Sequence, residues 1–284
     1  MAKLSDFSIK STLNCKGRLL SLQQPVVMGI LNITPDSFFD GGALSSTDIA
    51  LQRAGEMISH GASILDVGGY STRAGAGDVP VFEELARIIP VIEGIAKKFP
   101  DCFISVDTFR AQVAREAIMS GAHIINDISG GDDDPLMFET VASLKVPYVL
   151  MHKKGHIGTM QQKPEYTNVV TEVMDSFHPK IQLLKQLGVS DVVLDPGFGF
   201  GKTITHNFEL LNRLDEFHIF GLPVLAGLSR KSTVYRTLGI TAREALNGTT
   251  VLNTIALLKG AHILRVHDVK EAMECVTLTT KLNG

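Results

Sequence analysis

With 284 residues, 44% of them hydrophobic and 20% charged, the chain has the apolar material for a sizeable core and is not a disordered polyelectrolyte. Its formal net charge of −3 and isoelectric point near 6.3 exclude a general polyanion binder, so no nucleic-acid partner is expected and any anion site must be local. Cys15, Cys102 and Cys275 lack paired spacing, Met1 to Lys10 carries no apolar signal core, and no apolar run approaches the roughly 18 residues of a bilayer crossing, which predicts a cytoplasmic protein with no membrane contact.

Residues 1–24 form an N-terminal extension whose Asn14-Cys15-Lys16-Gly17 reads as a hairpin turn, expected to plug or decorate the bottom of the fold that follows. From residue 25, short β-rich runs alternate with longer amphipathic stretches, the pattern of repeated βα units. Strands are predicted at 26–31, 63–67, 102–106, 123–125, 148–151, 192–194, 224–228 and 262–266. Helices are predicted at about 47–60, 82–98, 110–120, 134–144, 166–187, 206–215, 242–259 and 268–281. Ser46-Thr47-Asp48, Asp107-Thr108 and Asp133-Asp134-Pro135 resemble N-terminal caps. No short repeat is visible, which argues against a solenoid. Eight strands without a split in composition favour an α/β protein of the (β/α)8 TIM-barrel class over an open doubly wound sheet, as a single domain spanning 1–284.

What ends each strand carries the functional signal. Asn32, Asp107, Asn126-Asp127, His152, Asp195 and Ser229-Arg230-Lys231 each follow an apolar run, and Arg265 and His267 punctuate the last one. In a (β/α)8 barrel all these ends open on one face, where active sites lie. Arg265 and His267, two apart in extended chain, should point the same way and form an anion grip. An Asp or Asn after a strand is often only a helix cap. That explanation fails for Asp107, Asn126 and Asp195 taken jointly beside Lys231, because buried polar groups need partners and a heterocycle would supply them.

Pro196-Gly197-Phe198-Gly199-Phe200-Gly201-Lys202-Thr203 ends like a phosphate-binding loop, but Pro196 replaces its first glycine, so the segment reads as a flexible pocket wall with Phe198 and Phe200 as apolar contacts. His152 and His156 lack a nearby carboxylate for zinc. Asp132-Asp133-Asp134 reads as a solvated helix start.

The run from Met28-Gly29-Ile30-Leu31-Asn32 through Ile33-Thr34-Pro35-Asp36-Ser37-Phe38 to Gly42 resembles the opening signature of the dihydropteroate synthases. Asp66-Val67-Gly68-Gly69, Ser71-Thr72-Arg73, Ser105-Val106-Asp107-Thr108, Ile125-Asn126-Asp127, Met151-His152, Leu194-Asp195 through Lys202, Ser229-Arg230-Lys231 and Arg265-Val266-His267-Asp268 follow in family order, covering about 25–282. The resemblance implies a barrel, usually a homodimer, that joins 4-aminobenzoate to 6-hydroxymethyl-7,8-dihydropterin diphosphate with Mg2+ as cofactor, and that sulfonamides inhibit. By position, Asp107, Asn126, Met151, Asp195, Phe200 and Lys231 would hold the pterin, while Asn32, Arg73, Arg265 and His267 would face the diphosphate, with Asn32 on the metal. Phe38, Thr72, Arg73, Phe198, Ser229 and Arg230 would border the aminobenzoate, and Lys231, Arg265, His267 and Asp107 would serve the reaction itself.

Two departures fall in one loop: Tyr70 stands where the family commonly has Glu, and Ala74 where Pro is frequent, which should leave that loop freer before ligand binds. Lys153-Lys154 also differs from the family's usual run and is expected at the surface. The rival readings are a corrinoid-dependent pterin methyltransferase, disfavoured by Asn32 and Ser229-Arg230-Lys231, and a silent pterin-binding subunit, disfavoured by intact Asn32, Arg73, Arg265 and His267.

Overall fold

The computed structural model describes residues 9–33, 46–70, 78–155 and 164–283. A short antiparallel hairpin comes first, β1 (Thr12–Cys15) and β2 (Arg18–Ser21). Eight parallel strands follow: β3 (Val26–Asn32), β4 (Ile64–Gly68), β5 (Phe103–Asp107), β6 (Ile124–Asp127), β7 (Tyr148–Met151), β8 (Val192–Asp195), β9 (Leu225–Ala226) and β10 (Ile263–Val266). They order as β8-β7-β6-β5-β4-β3-β10-β9, and a parallel bridge from Leu194 to Val224, with Leu194 N–H donating to the Pro223 carbonyl at 2.8 Å, joins the two edges. The expected barrel is present, with its strands where the sequence put them.

The helices between them are α1 (Ser46–Ser59), α2 (Val81–Lys98), α3 (Ala111–Met119), α4 (Met137–Leu144), α5 (Val169–Gln186), α6 (Ile204–Asn212), α7 (Ser232–Leu238), α8 (Leu246–Leu258) and α9 (Val269–Asn283). A 3-10 turn at Leu214–Phe220 takes over where a single helix to 215 was expected. The short α7 was not expected. Its Thr, Val and Tyr are weak helix formers, and a helix of seven residues leaves too brief a period to read.

Two expected caps are corrected. No side chain of its own segment caps α3; instead Asp134, from the loop before α4, accepts the Ala111 N–H at 2.7 Å and the Leu136 N–H at 3.0 Å. Asp107 caps nothing, because its carboxylate is turned into the barrel. Asp132 and Asp133 pair with Lys180 and Lys153, so the acidic run is used residue by residue.

Alternation along the strands divides the core in two. Val27, Leu65, Ile104, Ile125, Leu150, Leu194 and Leu264 point outward against the helices. Met28, Ile64, Ile124, Val149, Val193, Leu225 and Ile263 point inward, where the hairpin's Leu13, Cys15, Leu20 and Leu22 join them. The hairpin is therefore a plug. Its turn runs through Lys16 and Gly17, at φ 56° and 88°, and is closed by Gly17 N–H donating to Asn14 at 2.7 Å. Arg18 then donates to the Pro100 and Asp101 carbonyls, and Lys16 to that of Ile118, which lashes the plug to the loops below the strands.

Leu13 is fully buried in this plug, so Leu13→Ala is expected to lower the unfolding free energy by about 2–5 kcal/mol in urea titration, whereas a loss below about 1 kcal/mol would mean the hairpin only decorates the barrel.

Candidate active site

Counting two residues beyond each inward apolar side chain leads to Ile30, Asp66, Asn126, Met151, Asp195, Gly227 and Arg265. The period of two keeps them on the same face, one layer nearer the C-terminal ends of the strands. All but Asp66 line a cavity of about 640 Å3, together with Asn32, Asp107, Phe200, Ser229, Arg230, Lys231 and His267. Residues from seven strand ends thus meet in one cup, as expected for Asn32, Asp107, Asn126, Met151, Asp195, Phe200, Ser229, Arg230, Lys231, Arg265 and His267. Phe38, Thr72, Arg73, Ala74 and His156 lie outside the described residues, as does most of the two loops that carry the first four.

Arg265 organises one side of the cup. Its Nε donates to Asp66 Oδ2 at 2.6 Å and an Nη to Asp107 Oδ2 at 2.6 Å, linking β10 to β4 and β5. Asp66 Oδ2 also accepts the Asn126 amide at 2.9 Å, which fixes that amide's orientation and turns its carbonyl oxygen the other way. Burial raises the Asp107 pKa to about 7 against the pull of Arg265. Burial also works against the Arg265 charge, but Asp66 and Asp107 hold its pKa above the ordinary range.

Asp195 and Lys231 face each other across the cup. Asp195 Oδ1 accepts the Gly197 N–H at 2.8 Å, and burial raises its pKa against the pull of Lys231. Lys231 donates to the Phe198 carbonyl, and its Nζ stands 4.8 Å from the centroid of the Phe200 ring. Burial lowers it to about 8, with Asp195 opposing.

The expected anion grip has a different character. Arg265 is already shared by two carboxylates. Burial, then Arg265 itself, lowers His267 to about 4, so the ring is neutral at physiological pH. Ser229 Oγ accepts the His267 backbone N–H at 3.1 Å and lies 3.0 Å from Nδ1. Ser229 thereby ties the ring to the backbone that carries it and fixes its orientation. Arg230, at φ 52°, is likewise engaged, gripping Asp268 through Nε and Nη2 at 2.8 and 2.7 Å. The grip is thus a set of compensated charges and a neutral imidazole.

Three further expectations are corrected. Phe198 does not border the cavity with its ring: the side chain is 0% exposed within the outer core, and only its carbonyl reaches the site, toward Lys231. The glycine loop is not a flexible wall, because Lys202 is 3% exposed and bonds into it from within. Lys153 is only 5% exposed and paired with Asp133 at 2.7 Å, whereas Lys154 does lie at the surface.

The sequence reading passed over Asp66, seen only inside a family block. Its signal was an acid in the apolar run Ile64-Leu65-Asp66-Val67, two places beyond an inward Ile, the same offset that puts Asp195 after Val193. Tyr70 lines the cavity as well; its hydroxyl donates to Asp78 at 3.3 Å, and its ring lies 5.3 Å from the Arg110 guanidinium. Arg110 is anchored in turn on buried Glu84.

Removing Arg265 strands Asp66 and Asp107 in the barrel, so Arg265→Ala is expected to cost about 3 kcal/mol in urea unfolding, and a change under about 1 kcal/mol would show that the two acids do not depend on it. Between pH 6.5 and about 4 the unfolded chain protonates His267 while the folded chain does not, so that residue's contribution is complete above pH 6.5 and lost on acidification. The stability difference between the parent chain and His267→Gln should therefore shift against the parent as pH falls through this window. A flat difference would contradict a neutral His267.

Comparison with known proteins agrees with this geometry. The family model described as pterin binding enzyme matches residues 28–267. The dihydropteroate synthase of Escherichia coli strain K12 is 48% identical over 275 residues, which cover 94% of this chain and 97% of that one. The Xanthomonas albilineans dihydropteroate synthase solved with 4-aminobenzoic acid is 40% identical and superposes with a TM-score of 0.91, covering 96% of this chain and 98% of its own. The Yersinia pestis dihydropteroate synthase solved as a sulfonamide drug complex is 43% identical with a TM-score of 0.90, covering 96% and 99%. A matched model spanning most of the barrel, high identity across nearly the whole chain and one cup of strand-end acids and cations place it without ambiguity: the chain belongs to the pterin binding enzyme family, among the dihydropteroate synthases.

Proposed function

We propose that the chain condenses 6-hydroxymethyl-7,8-dihydropterin diphosphate with 4-aminobenzoate, giving 7,8-dihydropteroate and pyrophosphate. The observation that carries this reading is the convergence of Asp107, Asn126, Asp195 and Lys231 on one buried cup whose mouth also holds Asn32, Ser229 and His267. A pterin edge offers an amine and a ring N–H side by side, and the Asp195 carboxylate would accept both. Asn126, its amide nitrogen committed to Asp66, would accept a further ring N–H, and Lys231 would donate to the ring carbonyl or a ring nitrogen. Met151 and Phe200 would close on the faces of the heterocycle.

In the reaction the bond from the exocyclic carbon to the diphosphate oxygen breaks, its electron pair leaving with pyrophosphate. The aminobenzoate nitrogen forms the new C–N bond and gives up a proton. A pterin held rigidly stabilises positive charge on that carbon, and no protein nucleophile is required. Among the described residues no group of three His, Cys, Asp or Glu side chains is placed to hold a metal ion. The Asn32 side-chain oxygen at the cavity edge fits the habit of Mg2+, which keeps waters and phosphate oxygens around one or two protein ligands. Bound there, Mg2+ would neutralise the charge developing on the diphosphate. Ser229, Arg230 and the residues carried by the loops at 33–42 and 68–79 would border the aminobenzoate, and sulfonamides would compete at that position, with Tyr70 and Ala74 modulating their hold.

The homodimer is part of the same proposal. Leu238 on α7, Val251 and Leu258 on α8, and Leu278 and Leu282 on α9 are exposed on helices that pack against one another, an apolar face that a second copy would cover. Three unpaired buried cysteines support a cytoplasmic location, and no described helix is long and apolar enough to cross a membrane.

Incubation with both substrates and Mg2+ is expected to yield the condensed mass and pyrophosphate. Pterin binding without product would instead mark a silent binding subunit, and product formation indifferent to Mg2+ would remove the metal from the proposal. Asp195→Asn is expected to weaken pterin binding about tenfold or more by calorimetry, since one of the two acceptor oxygens becomes an NH2 that faces a ligand donor; unchanged affinity would assign the pterin edge elsewhere.

A further inference from the structure

The loop after β8, residues 196–202, ends in a lysine that meets no solvent. Lys202 Nζ donates toward Gly197 O at 2.9 Å, His152 Nδ1 at 2.9 Å, Phe200 O at 3.1 Å and His152 O at 3.3 Å. Four acceptors from two segments surround one amine nitrogen, which is more than its protons need and leaves no room for an apolar end group; burial lowers Lys202 to about 7, with Asp195 opposing. Burial, then Lys202, depresses His152 to about 2, so its ring is neutral and Nδ1 offers a lone pair.

The loop also lies hard against the chain leaving β7. A methyl on Gly197 would come within 1.9 Å of the His152 carbonyl and one on Gly201 within 2.2 Å of the Lys154 carbonyl, while both residues take left-handed φ of 70° and 65°. Lys202 is the hub that holds these two backbones together. From the opposite side of the same loop, two groups reach the cup: Gly197 N–H donates to Asp195 Oδ1 at 2.8 Å, and the Phe198 carbonyl receives Lys231. Phe200 in between lines the cavity.

We infer that Lys202 is a positioning residue for the pterin site: its buried Nζ clamps loop 196–202 to the exit of β7, and the clamped loop sets the Asp195 and Lys231 side chains in the register that receives the heterocycle. The Gly197 N–H and carbonyl flank one Cα, and the Phe198 carbonyl lies in the short span between the Gly197 and Phe200 carbonyls, so holding those two carbonyls on Lys202 leaves the Gly197 N–H and the Phe198 carbonyl little room to move. The lysine that a phosphate-binding loop would present to its ligand points instead into the protein. The inference rests on the pterin reading of the cup, deepening it by one layer.

The test compares Lys202→Met and Lys202→Arg with the parent chain, by calorimetry with the dihydropterin diphosphate and by steady-state rates in aminobenzoate at saturating pterin. For Lys202→Met the pterin Kd is expected to rise about tenfold or more and kcat to fall, while the KM for aminobenzoate stays within about threefold; Lys202→Arg, which keeps a cation and several donors, should recover part of the pterin loss. Pterin affinity within about twofold of the parent in a folded Lys202→Met would overturn the inference, as would equal losses for both substrates, which signify general loosening. Should neither variant fold, amide hydrogen exchange on the parent decides: slow exchange at Gly197 supports a clamped loop, and exchange as fast as at exposed Gly239 refutes it. A parent chain that fails to bind the pterin would instead defeat the pterin reading itself.

Discussion

A guanidinium shared between two acids at the floor of a barrel holds this site in shape. Arg265 reaches across β3 to Asp66 on β4 and Asp107 on β5, and Asp66 passes the constraint to Asn126 on β6. Asp66 and Asn126 are sealed from water and Arg265 and Asp107 open only partly onto the cavity, so each keeps its geometry because releasing one would leave another poorly solvated and unpaired. The amide of Asn126 cannot flip, and the carboxylate of Asp107 cannot swing toward the helix it precedes. A ligand that needs acceptors and donors at fixed spacing then meets a surface already arranged for it.

That arrangement depends in turn on what lies below it. The layer of Met28, Ile64, Ile124, Val149, Val193, Leu225 and Ile263 is sealed from beneath by the hairpin, so the polar layer rests on a packed apolar base and solvent reaches it only from the mouth. Low polarity on that side raises the Asp107 and Asp195 pKa values and lowers that of Lys231. The fold's mundane part, a plug of leucines, thereby contributes to the electrostatics two layers above it.

Much of this was legible in the chain. The eight strands could be read because both faces of each are buried and the runs are bounded by polar residues, and the convergence of Asp107, Asn126, Asp195 and Lys231 followed once the barrel was granted. What stayed hidden were relations between distant segments. Asp134 capping α3, Lys202 bonding to His152 and Arg265 choosing Asp66 span 23, 50 and 199 residues, and no local period or spacing encodes them. Phe198 and Phe200 show the limit in small compass: two apart in one loop, they were read as equivalent contacts, yet successive left-handed glycines turn one ring into the core and the other into the cavity. Lys153 was misjudged for the related reason that a lysine adjoining a strand end can pair with an acid on a neighbouring loop.

The balance of charge explains the division of labour between the halves of the substrate. Within the cup Asp66 and Asp107 are matched by Arg265 and Asp195 by Lys231, with Lys202 behind the loop adding to the pull on Asp195, while Arg230 is matched by Asp268 and His267 is neutral. The buried part of the site therefore has little net charge to offer a diphosphate, and suits instead the uncharged pterin ring, which it can read by hydrogen bonds alone. Compensation for the phosphates would have to come from the mouth: from Asn32 with its proposed Mg2+ and from the exposed Arg243, which lines the cavity and forms none of the ion pairs found among the described residues. A barrel that keeps its floor close to neutral and holds uncompensated positive charge at the rim would let the pterin bind deep while its leaving group stays near water, the arrangement that bond cleavage followed by pyrophosphate escape requires.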